Sequence, residues 1–209
     1  MPRKNSPRRP NARTNQAQAS TTLLRIIGGE WRSRKLPFPA VEGLRPTPDR
    51  VRETLFNWLQ HHVGGARCLD MFAGSGALGL EALSRGAESA LFIDQSSIAT
   101  RQLKDNLTTL KCQRADIINT AAATWLTQQQ AAEEAQYDLV FLDPPFRKGM
   151  VEPICQQLDS LSLLSDHAMI YIETEAELAQ LTVPANWHLH REKKAGQVIY
   201  RLYQRELLS

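Results

Sequence analysis

From Ala66 onward the chain alternates short apolar runs of strand length with stretches of helical spacing. The apolar runs fall at 66–70, 89–94, 115–119, 137–142 and 168–173. Strands that alternate with helices in this way bury both faces of a parallel sheet, so the pattern predicts a doubly wound α/β fold. The ending breaks the rhythm. Residues 187–193 and 197–203 flank Gly196, and Val198, Tyr200 and Leu202 alternate with Ile199, Arg201 and Tyr203, which predicts a terminal β-hairpin. No internal repeat is visible.

Ahead of this body, Leu24–Ile27 and Trp31–Leu36 flank Gly28-Gly29-Glu30, the pattern of a short hairpin with Arg and Lys on its polar face, ended by Pro37 and Pro39. Thr47 before Pro48 reads as a helix N-cap with proline in the first turn, and Val51, Leu55, Trp58 and Leu59 then recur at helical spacing. Residues 1–22 are rich in Pro, Asn, Gln, Ser and Thr and hold too few large apolar side chains to repay the entropy of ordering. The expected organisation is a disordered basic tail at 1–22, a hairpin and helix at 23–62 packed on the core, and the main α/β domain at 63–209.

A chain of 209 residues with 42% hydrophobic content can bury one substantial core. Its net charge of +3 conceals an asymmetry: residues 1–52 hold 12 Lys and Arg against three acids, a net +9, and the remainder is net −6. A basic front on an acidic body suits a polyanionic partner such as nucleic acid. No run approaches the roughly 18 apolar residues that span a bilayer, and no apolar segment follows the N-terminal charges, so no membrane or export role is expected and the cytoplasm is the expected location. Cys68, Cys112 and Cys155 are odd in number and far apart, which fits neither a disulfide framework nor a zinc site, and no metal is expected.

The strand ending at Asp70 runs into Met71-Phe72-Ala73-Gly74-Ser75-Gly76-Ala77-Leu78-Gly79, with an amphipathic helix carrying Glu81 and Leu83 expected to follow. Glycines here let the backbone turn from strand to helix and approach a ligand closely. The spacing alone suits any nucleotide cofactor. Asp70 narrows the choice, because a carboxylate at that strand end can face the ammonium of an amino-acid moiety but would repel a pyrophosphate. Asp94 closes the next strand 18 positions after Gly76, where it can take both hydroxyls of a ribose. Together they predict S-adenosyl-L-methionine, with Asp70, Phe72, Ala73, Gly74, Ser75, Gly76 and Asp94 as contacts.

Asp143-Pro144-Pro145-Phe146 follows the run Tyr137–Leu142, at the strand end where α/β crevices open. An exocyclic base amine is a poor nucleophile because its lone pair is delocalised into the ring. It improves when acceptors hold both N–H groups, and Asp143 with the Pro144 carbonyl can supply them, the prolines aiming that carbonyl in advance. Phe146 offers a face on which the base can stack. The four residues are the expected catalytic set, with Asp143 accepting the proton late. Cytosine C5 methylation would need a cysteine nucleophile after proline, and the nearest approach is Pro153-Ile154-Cys155.

On these residues the chain resembles the bacterial 16S ribosomal RNA guanine-N2 methyltransferases, the RsmD family. The matching stretches are Arg25–Arg32, Arg45–Asn57, Asp70–Gly76, Asp143–Phe146 and the closing Lys194–Val198 with Tyr200–Tyr203. The resemblance implies a class I S-adenosylmethionine-dependent methyltransferase with a Rossmann-like, mostly parallel seven-stranded sheet. It implies transfer of a methyl group to the exocyclic amine of one guanine in 16S rRNA, within a 30S subunit or an assembly intermediate, by a monomer. By the same resemblance Arg45 and Thr47 lie near the cofactor, and Arg25, Arg32, Arg34 and Lys35 lie near RNA phosphates; Arg147 and Lys148, just after the Asp-Pro-Pro-Phe stretch, are further RNA-binding candidates. Such enzymes usually carry an Asp or Asn for the adenine amino group; here the stretch reads Thr120-Ala121-Ala122-Ala123, so Ala122 occupies the cofactor position and a backbone carbonyl or Asp116 is left to make the contact. Rival readings are an adenine-N6 or protein-glutamine methyltransferase, a nicotinamide-dependent oxidoreductase, and a non-catalytic ribosome-assembly factor.

Overall fold

A computed structural model describes residues 22–39, 47–130 and 136–207, so the expected tail lies, apart from Thr22, outside the described residues, as does Arg45. The elements run β1 (Thr22–Arg25), β2 (Lys35–Phe38), α1 (Asp49–Trp58), β3 (Arg67–Asp70), α2 (Ala77–Ser84), β4 (Ser89–Asp94), α3 (Ser97–Leu110), β5 (Ala115–Asn119), α4 (Ala122–Thr127), β6 (Tyr137–Leu142), α5 (Val151–Ser160), β7 (Leu164–Glu175), β8 (Trp187–Ala195) and β9 (Val198–Arg205). The main sheet has the order β5-β4-β3-β6-β7-β9-β8. Its first five strands are parallel, and β9 and β8 add antiparallel as the terminal hairpin. The chain winds outward from β3 to β5 and then restarts beside β3 with β6. At such a reversal the connections leave the carboxyl ends in opposite directions and open a crevice.

Strand alternation divides the interior into two cores. In β6, Leu139 and Phe141 face the core shared with the N-terminal hairpin, α1, α2 and α3, while Val140 and Leu142 face that of α4 and α5. Every residue of α2 is buried, Glu81 included, so the helix is not amphipathic as its sequence suggests. The reason is tertiary: its nominally polar side is roofed by α1 and the hairpin.

The hairpin also differs from its sequence pattern. Its strands are four residues each, paired from Thr22↔Phe38 to Arg25↔Lys35, and Trp31–Arg34 belong to the connection. That connection folds onto the end of α2. Gly29 adopts φ +75°, and a β-carbon there would collide with the Ser84 carbonyl oxygen. Glu30 N–H donates to that carbonyl (2.7 Å), Trp31 N–H donates to Ser84 Oγ (2.9 Å), and the Trp31 side chain is buried. Pro37 does not end β2, because a two-stranded ribbon tolerates a residue that cannot donate, and the Pro37 carbonyl accepts from Asn106 Nδ2 (2.9 Å).

Glu81 joins these pieces. Its carboxylate accepts Ile27 N–H and Gly28 N–H, both at 2.8 Å, and Arg85 Nε at 2.7 Å, and it lies 3.4 Å from Arg52 Nη1. Arg52, itself buried, donates onward to the carbonyls of Arg25 (2.9 Å) and Thr47 (3.2 Å) and to Asp49 (2.6 Å). Removing one side of a buried pair strands the other, at a cost of roughly 3–5 kcal/mol. Glu81→Gln keeps the shape and removes the charge, so it should lower the unfolding free energy by about 3 kcal/mol in urea denaturation, and a loss under about 0.5 kcal/mol would show that the charge is dispensable.

Candidate active site

Three acids expected from sequence stand at carboxyl ends of neighbouring strands. Asp70 closes β3, buried, with Oδ2 accepting the Gly79 N–H (3.1 Å) and a further hydrogen bond from the Phe72 backbone. Burial pushes its carboxyl up to about 7, helped by the nearby charge of Asp94. Gly76 turns the loop into α2 at φ +76°, a conformation that side chains resist, and its N–H reaches the Ala73 carbonyl at 2.6 Å. Asp94 closes β4. Its Oδ2 accepts the Gly74 N–H and its Oδ1 the Ser96 N–H, each at 2.7 Å, which leaves one lone pair on each oxygen for a diol. Ser75 is buried in the loop and Phe72 is half-buried beside it.

Asp143 follows β6. The β6–β7 register pairs Leu142 with Ile172, so one step on Asp143 comes beside Glu173, on the face where Phe141 and Tyr171 also meet. Thr47 Oγ1 lies 3.5 Å from Asp143 Oδ2 and donates to it. Thr47 therefore does not cap α1, whose first turn begins at Pro48 without a side-chain cap; a sequence that reads as a cap has its hydroxyl in the site instead. Glu173 is buried and accepts the Tyr171 hydroxyl at 2.7 Å. Desolvation raises the Asp143 carboxyl well above the usual carboxylate range, and the charges of Glu173 and Asp70 add to it; Glu173 is raised for the same first reason. Glu173 was not expected from sequence, although it ends an apolar run just as Asp70 and Asp94 do.

The hydrogen-bond partners of Asp70, Asp94, Asp143 and Glu173 are backbone N–H groups and hydroxyls. Among the described residues no cation pairs with these four acids; like charges so gathered in a partly dry cleft disfavour their own ionisation, and a ligand bearing positive charge would relieve this. The ammonium and sulfonium of S-adenosyl-L-methionine match that requirement, and the Asp94 carboxylate matches a ribose. Among the described residues no group of three or more His, Cys, Asp and Glu is arranged to hold a metal.

Beyond the carboxylates, Pro144 is buried, whereas Pro145 and Phe146 are exposed, so the aromatic face is free at the mouth. Arg147 donates its N–H to Glu175 (3.3 Å) and its guanidinium to Glu177 (3.2 Å), while Lys148 is exposed. Ala122 is buried at the start of α4. Asp116 pairs in register with Leu91, three residues short of the carboxyl end of β5, and acts on Tyr137. Arg25 holds Asp49 through Nε and Nη2 (3.1 and 2.7 Å), and Arg34 donates to the Thr109 carbonyl (3.1 Å); Arg32 and Lys35 are exposed beside them. Cys155 is buried in α5 with its thiol raised by burial, the opposite of what a nucleophile requires.

A family model described as Conserved hypothetical protein 95 matches residues 24–204. The chain is 55% identical over 183 residues to ribosomal RNA small subunit methyltransferase D of Escherichia coli strain K12, covering 88% of this chain and 90% of that one. The protein of the same name from Haemophilus influenzae is 49% identical over 183 residues, covering 87% and 93%. The solved structure of the Escherichia coli protein yhhF superposes with a TM-score of 0.82 at 52% identity, covering 88% of this chain and 99% of that one.

The raised Asp70 carboxyl has a consequence for stability. The folded group keeps its proton to about 7 whereas the unfolded group releases it near 3.8. Across that window the folded state binds more protons, so this contribution weakens the fold increasingly as pH rises from about 4 to 7. Asp70→Asn should therefore melt at a higher temperature than the parent at pH 8 and show little difference at pH 4. A gap that does not widen with pH would mean that Asp70 ionises normally.

Proposed function

The chain belongs to the ribosomal RNA small subunit methyltransferase D family, and from that premise we propose that it transfers a methyl group from S-adenosyl-L-methionine to the exocyclic N2 amine of a guanine in 16S rRNA, within a 30S subunit or an assembly intermediate. The observation that carries the reading is Asp143-Pro144 at the end of β6, one strand over from the glycine loop of β3 and its Asp70. A cofactor acid and an amine acceptor thus share one crevice.

Asp70 would take the ammonium of the cofactor, Asp94 its ribose, and the backbone near Ala122 its adenine. When bound, the cofactor supplies an electrophilic methyl group on a sulfonium. Asp143 and the Pro144 carbonyl accept the N–H groups of the target amine and draw its lone pair out of conjugation. Phe146 receives the flipped base on its exposed face, and unstacking costs a few kcal/mol that this contact offsets. Alignment of amine and methyl accounts for most of the rate, since the donor is already activated. Arg32, Lys35 and the partly engaged Arg25 and Arg34 would hold RNA phosphates beside α3, and Arg147 and Lys148 would do so at the mouth. The chain would act as a monomer in the cytoplasm; no helix among the described residues is long and apolar enough to cross a membrane.

Labelled S-adenosyl-L-methionine incubated with 30S subunits lacking native modification should deliver label to N2-methylguanosine on nucleoside analysis. Label in N6-methyladenosine or in protein would overturn the choice of target, and Asp143→Ala should abolish transfer while cofactor affinity stays within about twofold. A second expectation concerns the basic front: Arg32, Arg34 and Lys35 replaced together by Ala should flatten the log–log salt dependence of RNA binding by roughly one unit for each phosphate no longer neutralised. An unchanged slope would assign them to ordinary surface charge.

A further inference from the structure

The amine methylation proposed above leaves a proton to be removed, and the residues behind Asp143 bear on where it goes. Asp143 is partly exposed toward the cleft, whereas Glu173 is 5% exposed and Tyr171 0% exposed. The Thr47 hydroxyl lies 3.5 Å from Asp143 Oδ2 and is near enough to Glu173 to lower its carboxyl, while the β6–β7 register sets Glu173 beside Asp143. Glu173 Oε1 in turn accepts the Tyr171 hydroxyl at 2.7 Å. The Thr47 backbone is fixed by Arg52 Nε on its carbonyl, which holds the hydroxyl in place. The groups facing Glu173 are Tyr171 on its own strand, Asp143 after β6, Thr47 ahead of α1, and Tyr200, its register partner on β9. All can carry or share a proton, and among the described residues none is a cation.

We propose that Glu173 is a positioning residue that takes up the proton of the reaction from Asp143 through the Thr47 hydroxyl. As the nitrogen–methyl bond forms and the methyl–sulfur bond breaks, with its electron pair leaving on sulfur, the nitrogen becomes cationic and gives its proton to Asp143. In the same step the Asp143 carboxyl donates to Thr47 Oγ1 while the Thr47 hydroxyl proton passes to Glu173. Asp143 is thereby restored to a carboxylate and Glu173 becomes a neutral acid, its hydrogen bond from Tyr171 retained on the other oxygen. A single exposed aspartate would have to hold the proton beside the charged product. The buried second carboxyl, ionised before the reaction and with its proton affinity raised by desolvation, removes it from the reacting atoms.

This rests on Asp143 being the amine-side acceptor, and the test separates the two. Single-turnover methyl transfer to 30S subunits, at saturating cofactor and RNA, would be measured across pH for the parent, Glu173→Gln, Thr47→Val, Thr47→Ser and the double variant Glu173→Gln with Thr47→Val. Glu173→Gln and Thr47→Val should each lower the plateau rate by about tenfold to a hundredfold. The double variant should be no slower than either single one, because both cut one path, and Thr47→Ser should restore most of the rate. Cofactor affinity of Glu173→Gln should stay within about twofold. In the protein alone, carboxyl NMR should show Asp143 of Glu173→Gln titrating at lower pH than in the parent, since a neighbouring negative charge is gone. A titration shift without loss of plateau rate would reduce Glu173 to an electrostatic neighbour and overturn the relay, as would additive losses in the double variant. A parent that methylates no amine would overturn the reading of Asp143 itself.

Discussion

The carboxylate of Glu81 is the contact on which the site's geometry depends. It lies wholly inside the protein and joins α2 to the N-terminal hairpin through two backbone N–H groups and to α1 through Arg52. A buried carboxylate is tolerable only when its lone pairs are met by donors, and here the donors come from the hairpin, α1 and the end of α2. The guanidinium of Arg52 carries the constraint to the Thr47 carbonyl, and the Thr47 hydroxyl faces Asp143. A structural ion pair and the Asp143 carboxyl are thus joined along one chain of hydrogen bonds.

That connection explains why the N-terminal hairpin is built as a short ribbon with a long folded turn. The turn places Gly29 against the backbone at the end of α2 at a distance no side chain would allow, and the buried Trp31 anchors it. Basic residues of the same turn stay at the surface near α3. One segment therefore carries two tasks, an apolar one toward the core and a charged one toward solvent, and the first orients the second.

The carboxyl ends of β3, β4, β6 and β7 bring four acids into one crevice at considerable electrostatic cost. Asp70 raised to about 7, and Asp143 and Glu173 raised with it, are a strained arrangement in the free protein. Such a set is suited to a ligand that carries positive charge and to a reaction that releases a proton, and stability is given up where the chemistry requires it.

The five parallel strands and the terminal hairpin were legible in the chain because burial on two faces leaves apolar runs that periodicity detects. Asp70, Asp94 and Asp143 were legible because each ends such a run, and the stretches Arg25–Arg32 and Arg45–Asn57 carried the family. What the sequence could not show was partnership. Glu81 reads as the polar side of a surface helix until α1 and the hairpin cover it, and Thr47 reads as a cap until its hydroxyl is found at Asp143. Glu173 reads as a strand-end acid like any other until the β6–β7 register sets it beside Asp143. Local pattern determines which apolar runs become the buried strands of the main sheet, since that follows from nearest neighbours in the chain. Which polar groups meet across 96 positions, as Thr47 and Asp143 do, is decided when the sheet forms and the N-terminal segment closes over it.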